Sequence, residues 1–410
     1  MSRPNHRQNN APAPPPPSNL YRFPNSWLWF VDEALPQWTK DHYSPKDSWK
    51  DKPFTETDAR FFLRGIRELS ELFTEETGNG MPVYLTHAKY RSSYLFYFLP
   101  LQAAKFITIF QMHPGAIQAA LAHGVKTGTM RVKDYGAGPG TATLALLLLL
   151  LDPAIPAESL PAKIEIDWVD ENFSIMKDGR DLANLICTNF SRLRDRVKIN
   201  LIIGDWESEA RKPSKEESSL VLFGHVLNES SRGLIERFPD VFAKMSGGGM
   251  LVVEPAHKTS SQLVSQLRDR LLQESRVEAK PESLWGPCLH AGGCPLAEGR
   301  DWCHFSVRAK VPGKWFAFFS KGLSSEKEWL KFAYVWIAAK DYPAPIKDSK
   351  MRLAVSDPLS GKNREKQVLL CEPETPGRLP IGDREVLHRG DQINPGMVAK
   401  GRLGPRRSER

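Results

Sequence analysis

From about residue 129 onward, apolar runs typical of strands alternate with stretches that have the 3.6-residue period of helices. The predicted strands are "MRVKDYG" (130–136), "KIEIDWVD" (163–170), "VKINLIIGD" (197–205), "SSLVLFGHVL" (218–227) and "GGGMLVVEPA" (247–256). The predicted helices between them are "TATLALLLLLL" (141–151), "FSIMKDGRDLANLIC" (173–187) and "GLIERFPDVFAKM" (233–245). Strands separated by helices imply right-handed crossovers, so we expect an α/β fold with a mostly parallel sheet.

Helical patterns precede this region, and mixed patterns follow it. The stretch 20–125 is predicted to be helical. One of its helices starts at Thr57 as N-cap and presents an apolar stripe made of Phe62, Ile66, Leu69 and Phe73. After the parallel sheet, helices are predicted at 259–275 and 324–340. Short strands predict a small β-rich end, at "KMRLAVSD" (350–357), "KQVLLCEPE" (366–374) and "REVLHRG" (384–390).

Composition is that of a soluble globular protein, because 41% of the 410 residues are hydrophobic and 25% are charged. The most apolar run, 142–151, is half of the about 20 residues that a membrane span needs, so no membrane partner is expected. Five cysteines, an odd number, favour a reducing compartment. We therefore expect a monomeric cytoplasmic protein of a bacterium, with the mitochondrial matrix as the alternative.

The charge balance points to a polyanion. The net charge of +8 fits a polyanion partner, most often nucleic acid, and the simpler alternative is a solvated basic surface. The arginine-rich end, 398–410, is too polar to pack a core, and the proline- and asparagine-rich start, 1–19, is predicted to be disordered as well.

A glycine-rich loop, "DYGAGPGT" (134–141), joins the first predicted strand to the first helix. Its Gly136, Gly138 and Gly140 allow close backbone approach to a ligand, and the following helix offers free N–H groups. The second strand ends at Asp170, which is placed to bind a ribose diol. The third predicted strand leads into Asp205 and Trp206, which could flank an adenine base.

The pattern D-x-G-x-G-x-G, starting at Asp134, resembles that of the class I methyltransferases, which bind S-adenosylmethionine. A dinucleotide site would have its third glycine one residue later. The simpler alternative is a glycine turn that only packs a helix on a strand.

Catalytic groups for methyl transfer are hard to find in the sequence. The fourth strand runs into "GHVLNES" (224–230) and lacks the Asn/Asp-Pro-Pro-aromatic element found in many base methyltransferases. Cys187 lies in an apolar helix and is predicted to be a core residue. His225 is predicted to be a hydrogen-bonded histidine at a strand end. The sequence therefore predicts a cofactor fold and leaves catalytic turnover open.

Three cysteines, Cys288, Cys294 and Cys303, lie within sixteen residues with the spacing C-x5-C-x8-C, and Cys371 follows 68 residues later. Zinc sites usually contain C-x2-4-C pairs, which are absent here. Wide, irregular loops closed by a remote fourth cysteine favour an iron–sulfur cluster. A zinc site that includes His290 or His304 and a set of unligated thiols are the alternatives.

The combination of "CLHAGGCPL", "DWCHF" and "VLLCEP" with "DYGAGPGT" and "LVVEPA" resembles a known family. It is similar to the methyltransferase-like assembly factors of the mitochondrial small ribosomal subunit and their bacterial relatives, over roughly 55–375. The resemblance implies a [4Fe–4S] cluster on Cys288, Cys294, Cys303 and Cys371. It also implies a cofactor loop at 134–140 and contact with the ribosomal RNA of the small subunit or its precursor.

These observations divide the chain into five parts: a disordered leader (1–19), an N-terminal helical domain (20–125), a methyltransferase-like domain with a Rossmann-like sheet (126–280), a cysteine-rich and β-rich metal-binding region (281–390) and a basic disordered tail (391–410). The expected function is assembly of the small ribosomal subunit through binding of its RNA. The alternative is an active methyltransferase that modifies ribosomal RNA or a ribosomal protein.

Overall fold

The computed structural model describes residues 22–75, 84–212, 217–227, 245–273, 283–308, 311–323, 329–360, 366–373, 376–381 and 387–398. Three predictions lie outside these residues: the disordered leader, all but the last residue of the helix at 233–245, and the part of the basic tail from 399 onward.

The described residues form two β-sheets. The strands of the first are β1 (Thr129–Tyr135), β2 (Lys163–Asp170), β3 (Val197–Ile203), β4 (Leu220–Gly224), β5 (Met250–Pro255), β6 (Leu284–Gly286), β7 (Phe305–Arg308) and β8 (Trp329–Ile337). The strands of the second are β9 (Arg352–Ala354), β10 (Leu359–Ser360), β11 (Lys366–Cys371), β12 (Gly377–Ile381) and β13 (Gln392–Ile393).

The first sheet has the order β3-β2-β1-β4-β5-β8-β6, and β7 also pairs with β8. Strands β1 to β5 pair in parallel, whereas β8 runs antiparallel to both β5 and β6. This arrangement is the sheet of the class I methyltransferases, and the predicted α/β fold class is confirmed. The second sheet is antiparallel and forms the predicted small β-rich end.

Helices surround the first sheet. They are α1 (Asn25–Trp29), α2 (Leu35–Tyr43), α3 (Glu56–Glu75), α4 (Ala88–Ser93), α5 (Leu99–Met112), α6 (Pro114–Thr127), α7 (Thr141–Leu150), α8 (Phe173–Asn189), α9 (Trp206–Arg211), α10 (Lys258–Gln273), α11 (Lys314–Gly322) and α12 (Pro395–Val398). A π-helical turn joins α1 to α2, and another joins α4 to α5. Every residue of α7 is buried, as expected for a helix that is apolar on all sides.

The N-terminal helices share one hydrophobic core with the sheet instead of forming a separate core. Trp27 Nε1 donates a hydrogen bond to the Pro312 carbonyl oxygen at 2.8 Å, and the rings of Tyr97 and Phe316 stack at 5.1 Å. The helices before β1 thus pack against the segment between β7 and β8. This hydrophobic core therefore extends across the boundary predicted at residue 125 between the N-terminal helical domain and the methyltransferase-like domain.

One continuous helical stretch, Ala88–Met112, is long and apolar enough to cross a membrane by length and composition. However, 72% of the most apolar part of this stretch is buried inside the protein. The stretch passes through Pro100, which follows the π-helical turn at Tyr94–Phe98. Burial to this extent is typical of the core helix of a globular fold.

The predicted helix at 324–340 is wrong, because residues Trp329–Ile337 form strand β8. A short apolar run fits a buried strand and a buried helix equally well, and pairing with strands on both edges decides between them here. Strands β6 to β8 complete the first sheet, which therefore continues past the predicted domain boundary at 280.

Three smaller differences concern the ends of elements. The cap of α3 is formed by Thr55 and not by Thr57, since Thr55 N donates to Asp58 Oδ2 at 2.7 Å and Thr55 Oγ1 accepts from Asp58 N. Residues 387–390 of the predicted strand at 384–390 form no strand, and residues 384–386 lie outside the described residues. Residues 391–398, predicted to be disordered, contain β13 and α12.

Candidate functional site

The glycine loop lies between β1 and α7 at the carboxyl edge of the sheet. Gly136, Gly138 and Gly140 all have positive φ, at 61°, 51° and 69°. A Cβ on Gly136 would lie 1.9 Å from Val226 Cγ1, and one on Gly140 would lie 2.0 Å from Trp168 Cζ2. These two positions require glycine for packing as well as for conformation. Gly138, in contrast, faces open space among the described residues.

Asp170, at the end of β2, supports this loop. Its Oδ2 accepts a hydrogen bond from Gly138 N at 2.8 Å, and its Oδ1 accepts one from Asn172 N at 2.8 Å. Burial raises the pKa of the Asp170 carboxyl, and these N–H groups oppose the increase. Each carboxylate oxygen keeps a further lone pair, so the side chain can still bind a diol.

Asp134, at the end of β1, lies beneath the loop and is buried. Thr143 Oγ1 donates a hydrogen bond to Asp134 Oδ2 at 2.7 Å, and Thr143 Oγ1 in turn accepts one from Trp168 Nε1 at 2.9 Å. Burial raises the pKa of the Asp134 carboxyl to about 7, although the bond from Thr143 lowers it. The sheet thus places a carboxyl that is half-ionised near neutral pH next to the glycine loop.

Asp205 and Trp206 follow β3 at the same edge. Asp205 is the N-cap of α9, because its carboxylate accepts hydrogen bonds from Glu207 N and Ser208 N, both at 3.1 Å. The ring of Trp206 lies 5.3 Å from that of Phe223, in an edge-on arrangement. Asp205 therefore positions the turn, and Trp206 provides an aromatic wall.

Of the seven predicted cofactor-binding residues, all except Gly140 line one open cavity of about 270 Å³. They are Asp134, Gly136, Gly138, Asp170, Asp205 and Trp206. Helix α5, the π-helical turn before it and the segment before α4 complete its wall with residues that the sequence analysis did not identify: Leu85, Tyr94, Gln102 and Phe106. No local pattern marks these side chains, because only tertiary packing brings the N-terminal helices over the sheet. The cavity is therefore shared between the sheet edge and the N-terminal helices.

His225, at the end of β4, also lines this cavity. Its φ is +63°, a backbone conformation that is uncommon for residues other than glycine and is found often at functional sites. Its Nε2 is buried and has no hydrogen-bond partner among the described residues. Burial lowers the pKa of His225 well below its usual value, as does nearby Lys105, so the ring is neutral.

The four cysteines of the sequence pattern come together. Cys288, Cys294, Cys303 and Cys371 line one small pocket of about 20 Å³, which we call the thiol pocket. Three of them lie on the irregular segment between β6 and β7, and the fourth is the last residue of β11 in the second sheet. Cys187 lies elsewhere, in α8, where burial raises the pKa of its thiol to about 11.

Helix α10 holds the cysteine segment in place through two adjacent residues. Buried Arg268 donates hydrogen bonds to the carbonyl oxygens of His290 and of Gly292, the latter at 2.6 Å. The Asp269 carboxylate accepts a hydrogen bond from Cys294 N at 2.9 Å. The sequence analysis missed both residues, because a charged pair on a helix usually indicates a solvated face.

Burial and neighbouring thiols both affect the ionisation of the cysteines in the thiol pocket. Burial raises the pKa values of the Cys294, Cys303 and Cys371 thiols, and the proximity of other thiols raises them further. His290 Nε2 lies 3.2 Å from Cys371 Sγ. Within the described ranges, no three His, Cys, Asp or Glu side chains lie close enough together to bind a single metal ion.

The strand order, the glycine loop and the cavity define a protein of the class I methyltransferase-like fold. More particularly, the chain belongs to the Rsm22 family, described as mitochondrial small ribosomal subunit Rsm22, which it matches over residues 131–378, more than half of its length. No curated protein matches the chain.

Solved structures with some similarity include three methyltransferase-related proteins. They are the plantazolicin methyltransferase BamL (12% identity, 52% of this chain and 63% of that chain, TM-score 0.27), MnmC2 from Aquifex aeolicus (13%, 56% and 58%, 0.27) and a putative O-methyltransferase from Klebsiella pneumoniae (11%, 77% and 98%, 0.28). The chain thus spans less than two thirds of the length of the first two. At these values the fold assignment rests on the strand order and not on these similarities.

The buried carboxyl of Asp134 predicts a pH dependence of stability. The pKa of the Asp134 carboxyl is about 7 in the folded protein and about 3.9 in the unfolded chain. The stability that the protonated carboxyl contributes to the fold is therefore fully present below pH 4 and is lost as the pH rises through 7. Relative to Asp134→Asn, the free energy of unfolding of the unchanged protein should fall between pH 4 and pH 7 by on the order of a few kcal/mol. Urea unfolding at several pH values measures this difference, and a difference that does not vary with pH would contradict the assignment.

Proposed function

We propose that this protein is an assembly factor of the small ribosomal subunit that binds ribosomal RNA, with S-adenosylmethionine in the cofactor cavity and a [4Fe–4S] cluster in the thiol pocket. The observation that carries the proposal is the presence of both pockets in one chain of the Rsm22 family. The description of that family supports the small subunit as partner, and the net charge of +8 supports RNA.

The chemistry of the cavity supports S-adenosylmethionine. Asp170 provides an acid for a ribose diol, Trp206 an aromatic wall for a base, and the loop around Gly138 a close approach for the rest of the cofactor. Asp134 provides a carboxyl that a cationic ligand would favour in its ionised form. The cavity therefore has groups suited to each part of this cofactor.

The donor set of the thiol pocket supports an iron–sulfur cluster over zinc. Zinc sites usually contain C-x2-4-C pairs, and the spacing C-x5-C-x8-C has none. Four thiols around one pocket match the four cysteine ligands of a [4Fe–4S] cluster. When bound, the cluster would supply a rigid link between the cysteine segment and β11.

Binding of S-adenosylmethionine can be tested at Gly138. The change Gly138→Arg should abolish binding measured by isothermal titration calorimetry, because the new side chain would enter the cavity. Gly128→Arg is the matched control: Gly128 also has a positive φ, 79°, and open space around it, but it lies outside the cavity. Equal loss of binding in both variants, or in neither, would refute the site.

The cluster can be tested by metal analysis. Protein purified without oxygen should contain about four iron and four sulfide per chain, and Cys303→Ala should lose them together with the broad visible absorbance. Cys187→Ala is the control, since Cys187 lies outside the thiol pocket, and it should keep both. One zinc per chain and no iron would show that the proposed cluster is wrong.

The role in assembly can be tested by sedimentation. The protein should co-sediment with small subunits or their precursors at low salt and be released as salt increases, because phosphate contacts depend on counterion release. A large-subunit fraction provides the control. Failure to co-sediment with small subunits at low salt would count against the proposed function.

Methyl transfer is a second candidate, favoured by the unpartnered Nε2 of neutral His225 in the cavity. The expected result is transfer of label from S-adenosylmethionine to small-subunit ribosomal RNA or protein isolated from a strain that lacks this protein. Gly138→Arg and His225→Ala should both abolish it. If label stays with the cofactor, the protein binds S-adenosylmethionine without turning it over.

A further inference from the structure

The outer strands of the first sheet differ from its central strands in their pattern of burial. Strands β4 and β5 are buried almost throughout, as is usual in a parallel sheet covered on both faces. Strands β1, β2 and β3 instead alternate between apolar and polar residues. Their apolar side chains, such as Met130, Ile164 and Ile166, lie in the core with α6 and α8.

The opposite face of these three strands carries charged and amide side chains in register. One row across the sheet is Arg131, Glu165 and Lys198, and the next is Lys133, Asp167 and Asn200. Lys163 lies at the amino end of β2 on the same face, two residues before Glu165. We call these seven residues the polar face.

Among the described helices that pack on β1 to β3, only α9 reaches this side. It covers the carboxyl ends of the strands, where Tyr135, Val169 and Ile202 form a small apolar cluster with Ala210. The amino-terminal half is partly exposed: the side chains of Arg131 and Glu165 are 27% and 36% exposed, and Lys163 and Lys198 are exposed. Covering these charged side chains with an apolar surface would be costly, so the polar face suits a polar partner.

The charges on this face favour a polyanion. Four cations stand against two acids, and in each row the acid is in register with a cation. The one contact shorter than 3 Å that the structure shows within the face joins Asn200 Nδ2 to Asp167 Oδ1, at 2.8 Å. Arg131 and Glu165 form a looser ion pair, with 3.8 Å between Arg131 Nε and Glu165 Oε2.

The turn before β3 carries further positive charge close to this face. It contributes Arg194 and Arg196, against Asp195. Arg194 and Arg196 each donate a hydrogen bond to a backbone carbonyl oxygen, of Thr188 at 2.7 Å and of Pro161 at 3.0 Å. The guanidinium group of Arg196 is thus fixed just before the amino end of β2, and that of Arg194 lies at the last turn of α8.

We propose that the polar face of β1–β3 binds the phosphate backbone of RNA, and this inference rests on the RNA binding proposed above. Adjacent strands are about 4.8 Å apart and residues two apart in a strand about 6.6 Å, so the cations form a grid that can contact several phosphates at once. The seven residues of the face include no aromatic platform for unpaired bases, so its contacts position RNA without reading its sequence. The cofactor cavity lies at the carboxyl ends of the same strands, separate from this surface.

A charge-matched pair of triple variants tests the proposal. The first changes Lys133, Lys163 and Lys198 to Gln. The second changes three lysines exposed elsewhere, Lys331, Lys340 and Lys350, to Gln, with the same decrease in net charge. The probe is transcribed small-subunit ribosomal RNA, with binding measured between about 50 and 200 mM salt. Binding of S-adenosylmethionine reports that each variant is folded.

The polar-face variant should bind RNA on the order of tenfold more weakly, and the slope of log affinity against log salt should fall by about 1 for each phosphate that the variant no longer neutralises. The control variant should keep the slope of the unchanged protein. If the two triple variants lose RNA affinity equally, the polar face is not the binding surface, although the protein still binds RNA. If the unchanged protein does not bind RNA at low salt, the proposed function fails as well.

Discussion

The close contact between Gly140 and Trp168 is the constraint on which the cofactor site depends. The Trp168 ring occupies the space in which any side chain at position 140 would lie, so it brings the start of α7 directly onto β2. Its indole N–H then reaches Thr143, which holds the carboxyl of Asp134. One buried tryptophan therefore sets the shape of the loop, the direction of α7 and the position of an acid. The loop, α7 and the acid together determine the shape of the cavity.

Much of the fold could be predicted because its signals are local. The parallel strands are separated by helices with clear periodicity, and the loop at 134–141 has a distinctive order of glycines. Strand β8 could not be predicted, because pairing on both of its edges determines its conformation and its apolar run carries no period. The same holds for Gln102, which reaches the cavity only because α5 packs across the sheet, and for Arg268, whose role depends on carbonyl groups more than twenty residues away.

The two pockets are linked through β5 and α10. Near the cavity, Glu254 accepts a hydrogen bond from Leu227 N at 2.9 Å, which holds the segment after His225. At the other end of the link, the Ala256 carbonyl oxygen accepts one from Trp302 Nε1, next to Cys303. Helix α10 then continues to Arg268 and the cysteine segment. A single strand and helix therefore support the wall of one pocket and the frame of the other.

The position of Cys371 in the second sheet has a consequence for the order of events during synthesis. Strands β1 to β8 all precede residue 338, so the first sheet and the cofactor cavity can form before β11 has been translated. Three thiols are present by residue 303, but the pocket stays open on one side until β11 pairs with β9 and β12. The fourth thiol of the pocket is therefore the last of the four to be synthesised. A chain that stopped before residue 366 would have a complete methyltransferase-like sheet and a thiol pocket of three cysteines.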